Sequence, residues 1–301
     1  MTRYRPGTPA DSRACFELME AAIDDFGQRT GVIANDTFGD PAAWETRRPL
    51  FEHLAATGES WWLALDDTSD RLLGYARTIM RDGMRELTEF FVHPTAQAGG
   101  IGRELLARTF SPDGARHRSI IATTDTRAIA RYLRAGLGAR LPMAGFEATP
   151  RPVSLETDLV REPIDPAAPP FADLATIDRA ILDIRRDEDH RWLAGQRPGW
   201  LYRRGGIAVA YGYHPSRPSW GGPLAALDPV DLPVLLADSE TAAAEAGHDR
   251  VTFDLPLIAR TAIDHLLARG FRVDAFLMLY FTDGPTDGLD RYVLTSPPFF
   301  A

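Results

Sequence analysis

The chain has 301 residues, 45% hydrophobic and 25% charged, which is the composition of a globular protein with about two domains of ordinary size. Its formal net charge is −9, which argues against a nucleic-acid partner because phosphate backbones bind basic surfaces. All 33 basic residues are arginine, and the absence of lysine excludes Schiff-base chemistry and the phosphate-binding lysine of a P-loop.

The first half of the chain alternates between helix and strand patterns. Apolar residues at helical spacing predict a helix over 9–25. Two strands follow at 61–66 and 72–80, separated by a polar turn. The remaining predicted elements are a strand at 85–92, a helix at 102–110, a strand at 119–124 and a helix at 125–135. This order predicts a mixed α/β unit.

Prolines are concentrated in one stretch near the middle of the chain. Five of them fall within residues 151–170, a density at which neither a helix nor a central strand continues. The predicted organisation is a domain over 1–150, a proline-rich linker over 151–164 and a second domain over 165–301.

The second half repeats part of the first. Residues 128–137 align with 262–271 at a constant offset of 134, and each segment follows a β-rich run. The dipeptide His93-Pro94 aligns with Asp228-Pro229 at an offset that differs by one residue. Two matches in the same order predict a duplicated fold.

A glycine-rich loop lies between the strand at 85–92 and the helix that follows it. Residues 97–102 read Q-A-G-G-I-G, so three positions lack a side chain and the backbone can approach an anion closely. The first turn of the helix presents unpaired N–H groups to the same place. The segment therefore predicts a site for a phosphate or pyrophosphate, although its spacing is not the G-x-G-x-x-G of dinucleotide-binding loops.

This loop resembles the [RQ]-x-x-G-x-[GA] signature of the GNAT acyltransferase superfamily. Two neighbouring segments support the resemblance: residues 89–94 fit E-x-x-V-x-P, and residues 125–136 fit N-x-x-A-x-x-x-Y-x-x-x-G. The departure is Asp125 in the place of asparagine, which removes the amide donor at that position. The resemblance covers about residues 71–137. It implies two tandem GNAT-like domains, each with a mixed, mostly antiparallel sheet flanked by helices.

The resemblance also implies where acetyl-CoA binds. The loop would hold its pyrophosphate, and a backbone N–H of Phe91 or Val92 would face the thioester carbonyl. The predicted cofactor-binding residues are Phe91, Val92, His93, Gln97, Ala98, Gly99, Gly100, Ile101, Gly102, Arg103 and Asp125. The basic run 116–118 has two interpretations. It would contact the ribose phosphate of CoA, or it would form a solvated turn, and we favour the solvated turn.

Two side chains are candidates for proton transfer. Tyr132 matches the family position from which a phenol protonates the departing thiolate, and the alternative is a core tyrosine. Glu89 is the predicted general base, acting directly or through water, and the alternative is a solvated carboxylate. Period-2 alternation predicts that Glu86 faces the opposite side of the strand from Glu89. His93 is either a proton relay or a structural residue.

The second half has no equivalent of the loop. Residues 226–234 contain two aspartates, which would repel a pyrophosphate, and two prolines, which lack the N–H groups to bind it. Leu266 stands where the first half has Tyr132. The second domain is therefore predicted to be a scaffold, a wall of the acceptor site or a dimer surface.

These observations predict an N-acetyltransferase that uses acetyl-CoA and acts on the amine of a small molecule or peptide. Transfer is predicted to be direct, because the only cysteine, Cys15, is expected on the first helix away from the loop and strand. The alternatives are a non-catalytic acyl-CoA-binding regulatory module and an O-acyltransferase. No metal, nucleic acid or membrane partner is expected, the predicted location is cytoplasmic, and a homodimer is compatible with the sequence.

Overall fold

The computed structural model describes residues 1–32, 41–97, 99–216 and 221–295. The chain divides into two compact units, Met1–Gly138 and Ala139–Ala301, which we call unit 1 and unit 2. Within the described ranges, no helix has both the length and the apolar character that a bilayer span requires.

Unit 1 is built on five strands that are neighbours in chain order. The strands are β1 (Thr2–Pro6), β2 (Gly58–Asp66), β3 (Leu72–Arg81), β4 (Met84–Val92) and β5 (His117–Thr123). Three of the four pairings are antiparallel, and β4 with β5 is parallel. The helices are α1 (Ser12–Thr30), α2 (Pro41–Thr57), α3 (Ile101–Thr109) and α4 (Thr126–Arg134).

The helices of unit 1 cover both faces of its sheet. The buried Arg77 of β3 donates to the backbone oxygen of Phe51 in α2, at 3.0 Å. A Cβ on Gly74, three residues earlier and therefore on the opposite face, would lie 3.3 Å from Ile101 and Leu105 of α3. One face thus packs on α1 and α2, and the other packs on α3.

Every element predicted for the first half is present, with ends displaced by a few residues. Two helices or strands of unit 1 were not predicted, β1 and α2. Strand β1 is short and pairs at the sheet edge with β2, from Thr2 opposite Asp66 to Pro6 opposite Trp62. Helix α2 contains Pro49 in its interior, a residue that normally ends a helix, so the pattern gave no helix there.

A β-bulge in β4 reverses one prediction. Arg77 lies opposite Glu89, whereas Thr78 lies opposite Leu87, so Thr88 is an extra residue on β4. The bulge shifts the alternation by one position. Glu86, opposite Ile79, therefore shares a face with Glu89, and the prediction that they face opposite sides is wrong.

Unit 2 contains two further groups of paired strands. The first has the order β13 (Tyr292–Val293), β10 (Leu224–Ala226), β9 (Ile207–Tyr213), β8 (Gly199–Arg204) and β7 (Val160–Pro163). The second has the order β12 (Arg272–Thr282), β6 (Gly138–Ala148) and β11 (Val251–Pro256). The helices are α5 (Phe171–Leu182), α6 (Asp187–Gln196), α7 (Leu232–Glu245) and α8 (Arg260–Ala268).

The boundary between the units lies earlier than the predicted residue 150. Strand β6 pairs antiparallel with β11 over its whole second half, which ties residues 143–148 to unit 2. The proline-rich segment is tied there as well: Val153 exchanges two hydrogen bonds with Thr241, at 2.9 and 2.8 Å, and β7 pairs with β8. The prolines interrupt regular structure, but the residues between them are held in place.

The predicted repeat corresponds to matching local structure. Helices α4 and α8 have the same length and are offset by 134 residues, as are the first residues of β5 and β11. Both helices end in the same cap, with Gly136 and Gly270 in the left-handed conformation at φ 89° and 86°. His93 and Asp228 each cap a short 3₁₀ turn through a side chain.

A cluster of charged and phenolic groups is buried inside unit 2. Asp178 lies 2.8 Å from both Arg186 and His190, and none of the three side chains is exposed. Arg186 also donates to the hydroxyl oxygens of Tyr211 and Tyr292, at 2.7 and 2.9 Å. Burial alone would raise the pKa of Asp178, but the neighbouring Arg186 and His190 hold it well below its usual range. The cluster joins α5, α6, β9 and β13.

Candidate functional site

Strands β4 and β5 are paired at one end only. Their register runs from Met84 opposite His117 to Glu86 opposite Ser119 and stops there. The bulge at Thr88 follows immediately, and a bulge bends the strand that carries it. Beyond it the two strands diverge and leave a slot between them.

The slot is a cavity of about 580 Å³ that is lined from both faces of the sheet. Its walls combine apolar side chains with a few polar groups, as ligand sites do. The lining residues used below are Phe26 and Arg29 of α1, Phe90, Phe91 and Val92 of β4, Gln97, Ile101 and Gly102 of the loop and α3, and Asp125, Arg127, Arg131, Tyr132 and Arg134 at α4.

The glycine loop lies at one end of this cavity. Gly100 is the N-cap of α3 at φ 82°, a left-handed conformation that strains any residue with a side chain. A Cβ on Gly102 would lie 2.9 Å from Cζ of Phe90, so only glycine allows α3 to approach β4 this closely. Gly99 is exposed and does not line the cavity, and Ala98 lies outside the described residues.

The backbone of Val92 faces the slot. The amide of His93 donates to Leu73 of β3 at 2.8 Å, and the amides of an antiparallel strand point alternately to its two sides. The N–H of Val92 therefore points away from β3, toward the edge that β5 leaves free, whereas that of Phe91 points to β3. The side chain of Gln97 donates to the oxygen of Val92 at 3.3 Å.

Tyr132 is buried in α4 and lines the cavity. Its ring packs edge-on against Phe90, with 6.1 Å between ring centroids. Burial and the nearby Asp125 carboxylate raise the pKa of the Tyr132 phenol, so the hydroxyl is protonated at neutral pH.

Glu89 is placed differently from the expected general base. Its carboxylate lies 2.8 Å from Arg77, and neither side chain is exposed. Tyr75 donates a hydrogen bond to it at 2.9 Å. Burial raises the pKa of Glu89, although Arg77 and Tyr75 act in the opposite direction. Glu89 is absent from the residues that line the slot, although Phe91, two positions along the same strand, is among them.

Cys15 lies nearer to this strand than predicted. Helix α1 packs on β3 and β4, so that Cys15 is fully buried and within electrostatic range of Glu89 and Arg77. Burial, and secondarily the Glu89 carboxylate, raise the pKa of the Cys15 thiol well above its usual value. A thiol in this state is a poor nucleophile.

Asp125 joins α1, α4 and the glycine loop. It caps α4 by accepting from the amide of Arg127 at 2.9 Å, and it is paired with the side chains of Arg29 and Arg127. Burial alone would raise its pKa, but these hydrogen bonds lower the pKa of Asp125 to about 2. Arg127 also donates to the side-chain oxygen of Gln97. Asp125 is therefore an ionised acceptor.

The remaining predicted residues have local roles. His93 accepts from the amide of Thr95 at 3.3 Å, and burial lowers its pKa, so it is a neutral cap at the strand end. Arg116 donates to the backbone oxygen of Asp82 at 3.0 Å. Arg118 is buried and donates to the backbone oxygen of Ala135 at 2.9 Å. Through these contacts, Arg116 and Arg118 hold nearby backbone segments in place.

Sequence reasoning missed the basic face of α4. Arg127, Arg131 and Arg134 lie at i, i+4 and i+7, which places them on one side of the helix, and all three line the slot. The spacing is legible in the sequence, but its relation to the glycine loop depends on how α4 packs against α3.

In the described part of unit 2, a strand lies where unit 1 has the slot. Strand β13 pairs antiparallel with β10, and its successor Leu294 donates to the oxygen of Asp254 in β11 at 2.9 Å. By the repeat, β10 and β11 correspond to β4 and β5. The C-terminal strand of unit 2 therefore occupies the place between them. Among the described groups of His, Cys, Asp and Glu, none is arranged to hold a metal ion.

Residues 16–137 match the acetyltransferase (GNAT) family. A search among curated proteins finds no match. The chain is similar in structure to a protein from Pyrococcus horikoshii that is proposed to be an acetyltransferase, at 16% identity and a TM-score of 0.69 over 97% of this chain and 92% of that one.

Two further solved structures are similar over nearly the whole chain. A GCN5-related N-acetyltransferase from Sphaerobacter thermophilus has 16% identity and a TM-score of 0.62, with coverage of 96% of this chain and 97% of that one. A tandem GNAT protein from the clavulanic acid biosynthesis pathway has 13% identity and a TM-score of 0.57, with coverage of 95% and 100%. At these identities the likeness shows a shared fold.

Proposed function

Residues 16–137 belong to the GNAT acetyltransferase superfamily, and from this we propose that the protein transfers an acetyl group from acetyl-CoA directly to the amine of an acceptor. The observation that supports the proposal most strongly is the slot between β4 and β5, which has the glycine loop at its end and Tyr132 in its wall. In the proposed complex, the thioester arm lies between the strands and the pyrophosphate meets the N-terminus of α3.

The first step is attack of the amine on the thioester carbonyl. A C–N bond forms, and negative charge develops on the carbonyl oxygen. The N–H of Val92 points into the slot and is the proposed donor to this oxygen. One such donor lowers the barrier by about 3–4 kcal/mol in other acyl transfers.

The second step is cleavage of the C–S bond. The thiolate of CoA leaves and takes a proton from the phenol of Tyr132, which bulk water later restores. A phenol whose pKa is raised by burial keeps its proton until a stronger base forms beside it. The proposed role of Tyr132 is therefore general acid.

The amine must also lose a proton. Glu89 remains our candidate base. Its buried carboxylate contacts Arg77 and Tyr75. We therefore propose that the proton of the amine reaches Glu89 through an ordered water rather than by direct contact. Direct transfer without an acyl-enzyme is supported by Cys15, which is buried and held as a thiol.

Unit 2 is proposed to be a second, degenerate GNAT-like domain. The matching strand–helix segments and caps support a common origin, and β13 occupies the position that a thioester arm would need. We propose that it serves as a scaffold and that the full chain binds one molecule of CoA.

The proposal is tested by incubating the full chain with acetyl-CoA and a panel of amines and alcohols while the release of free thiol is followed. We expect release that depends on an amine. Tight CoA binding without turnover of any acceptor would instead indicate a binding module, and turnover of alcohols alone an O-acyltransferase. Calorimetry on the full chain gives the stoichiometry, and two CoA molecules per chain would contradict a degenerate unit 2.

A further inference from the structure

A second cavity of about 390 Å³ lies between α3 and α4 of unit 1. Its apolar floor includes Leu106 and Phe110, and its polar lining is basic: Arg103, Arg118, Arg131 and Arg134. Arg131 and Arg134 also line the slot, so the two cavities adjoin along α4.

Three of these arginines have no acidic partner among the described residues. Arg108, on the same helix as Arg103, pairs with Glu104 at 2.7 Å, and Arg127 pairs with Asp125 at 2.7 Å. Arg103, Arg131 and Arg134 make no such pair. Like charges gathered in one cavity repel each other, and a bound anion removes that cost.

Arg131 lies directly against the glycine loop. A Cβ on Gly102 would be 3.3 Å from both Cζ and Nε of Arg131, and one on Gly100 would be 3.8 Å from Nη2 of Arg103. Guanidinium groups therefore surround the first turn of α3 and continue into the second cavity, where Arg134 lies one helical turn beyond Arg131.

The repeat indicates that these arginines are not needed to build the strand–helix segment. At the offset of 134 residues, the positions of Arg127, Arg131 and Arg134 are occupied in α8 by Thr261, His265 and Ala268. The same helix, with the same cap, thus forms without the basic face. The arginines are therefore not required for the fold of this segment, and we assign them a role in binding.

We propose that Arg103, Arg131 and Arg134 form a phosphate monoester subsite that binds the 3′-phosphate of CoA. The inference rests on the proposed function, since it takes the pyrophosphate to lie at the glycine loop. Guanidinium groups bind phosphate oxygens in bidentate fashion, and the second cavity is the adjoining space in which a third phosphate meets them. Arg118, whose guanidinium is committed to backbone oxygens, supports the floor.

The test compares CoA with dephospho-CoA, which lacks only the 3′-phosphate, by calorimetry on the full chain. We expect CoA to bind about tenfold to 100-fold more tightly, as two or three charge-assisted contacts allow. In Arg131→Gln and in Arg134→Gln that ratio falls toward one, because contacts to the 3′-phosphate are lost. Arg108→Gln, on α3 and outside both cavities, keeps the wild-type ratio.

The possible outcomes separate the two proposals. Equal affinity of the wild type for CoA and dephospho-CoA, or a ratio that survives both substitutions, overturns the subsite and leaves acetyl-CoA binding intact. Absence of binding by either compound overturns the proposed function. Adenosine 3′,5′-bisphosphate and inorganic phosphate are also tested as competitors of CoA binding. If both compete with equal strength, the site is not specific for the 3′-phosphate of CoA and the proposal is contradicted.

Discussion

Unit 1 and unit 2 contain similar strand–helix segments, which run from β4 to α4 and from β10 to α8. The two segments differ in what lies between their strands. In unit 1, β4 and β5 separate after three paired residues and leave the slot. In unit 2, β13 pairs with β10 and reaches β11, so the corresponding space is filled by the chain itself. Under the proposed duplication, both copies retain the helix and its cap, and a strand in unit 2 takes the place that unit 1 leaves for a ligand.

The residues that differ are those that the slot needs. Tyr132 is matched by Leu266 and the capping Asp125 by Ala259. The 3₁₀ turn that precedes the glycine loop in unit 1 leads straight into α7 in unit 2. The position of Gly136, which ends the helix, is still glycine at Gly270. Under the proposed duplication, the residues that end the helix are kept in both copies, and the residues proposed to bind CoA are kept in one.

The largest effect is expected from Asp178→Asn in unit 2. The substitution removes the carboxylate that pairs with the buried Arg186 and His190, and breaking a buried ion pair in this way costs about 3–5 kcal/mol of the free energy of unfolding. Urea denaturation measures it. The folded variant should bind CoA as the wild type does, because the change is in unit 2. Weaker CoA binding by the folded variant would show that the two copies are not independent in function.

The same substitution should also change how the stability of the protein depends on pH. The pKa of Asp178 is lowered on folding, so its contribution to stability is complete above about pH 4 and is lost as the pH falls below that value. The stability of Asp178→Asn should accordingly depend less on pH in this range. Asp187→Asn, at a more exposed pair with Arg185, is the control and should cost less than about 1 kcal/mol.

The next largest effect is expected from Tyr132→Phe in unit 1. Loss of the proton donor should lower kcat by about 100-fold, within the range for general acids, and leave the Kd for CoA unchanged. Steady-state kinetics with the amine identified by the thiol assay, and calorimetry, give the two values. Tyr4→Phe, in β1, is the matched control. A parallel loss of kcat and of CoA affinity would mean that Tyr132 only packs against Phe90.

Local patterns in the sequence predicted most of unit 1 and the position of its loop. The cap at Gly136 and the loop at 97–102 are local, so each is encoded in a few adjacent residues. The bulge at Thr88 is not, because nothing in the run of β4 marks which residue is extra, and it moves Glu86 to the face of Glu89. The arginine partner of Glu89 and the filling of unit 2 by β13 both depend on contacts between distant segments.

A smaller effect is expected from Gly102→Ala, which gives unit 1 a side chain that the loop cannot accommodate. The new Cβ would meet Phe90 at 2.9 Å and Arg131 at 3.3 Å, and overpacking of this kind costs about 1–3 kcal/mol. We expect CoA binding to weaken by about tenfold to 100-fold in calorimetry. Gly195→Ala, in α6, is the control, because the added Cβ has no atom within 4 Å apart from its chain neighbours and the nearby backbone of its own helix. Unchanged affinity would place the pyrophosphate elsewhere.

The smallest effect is expected from Asp125→Asn, which restores the residue typical of the family. Asparagine caps a helix as well as aspartate does, so α4 should remain intact. The ion pairs with Arg29 and Arg127 are lost, at a cost of about 1 kcal/mol at neutral pH. Because folding lowers the pKa of Asp125 to about 2, this contribution disappears in the wild type between about pH 4 and pH 2, and the variant should lack that transition.

In the Asp125→Asn variant, Arg127 is free to face a phosphate and one negative charge is gone, so CoA should bind about two- to fivefold more tightly. Weaker binding would mean that the Asp125 carboxylate itself accepts a hydrogen bond from the cofactor.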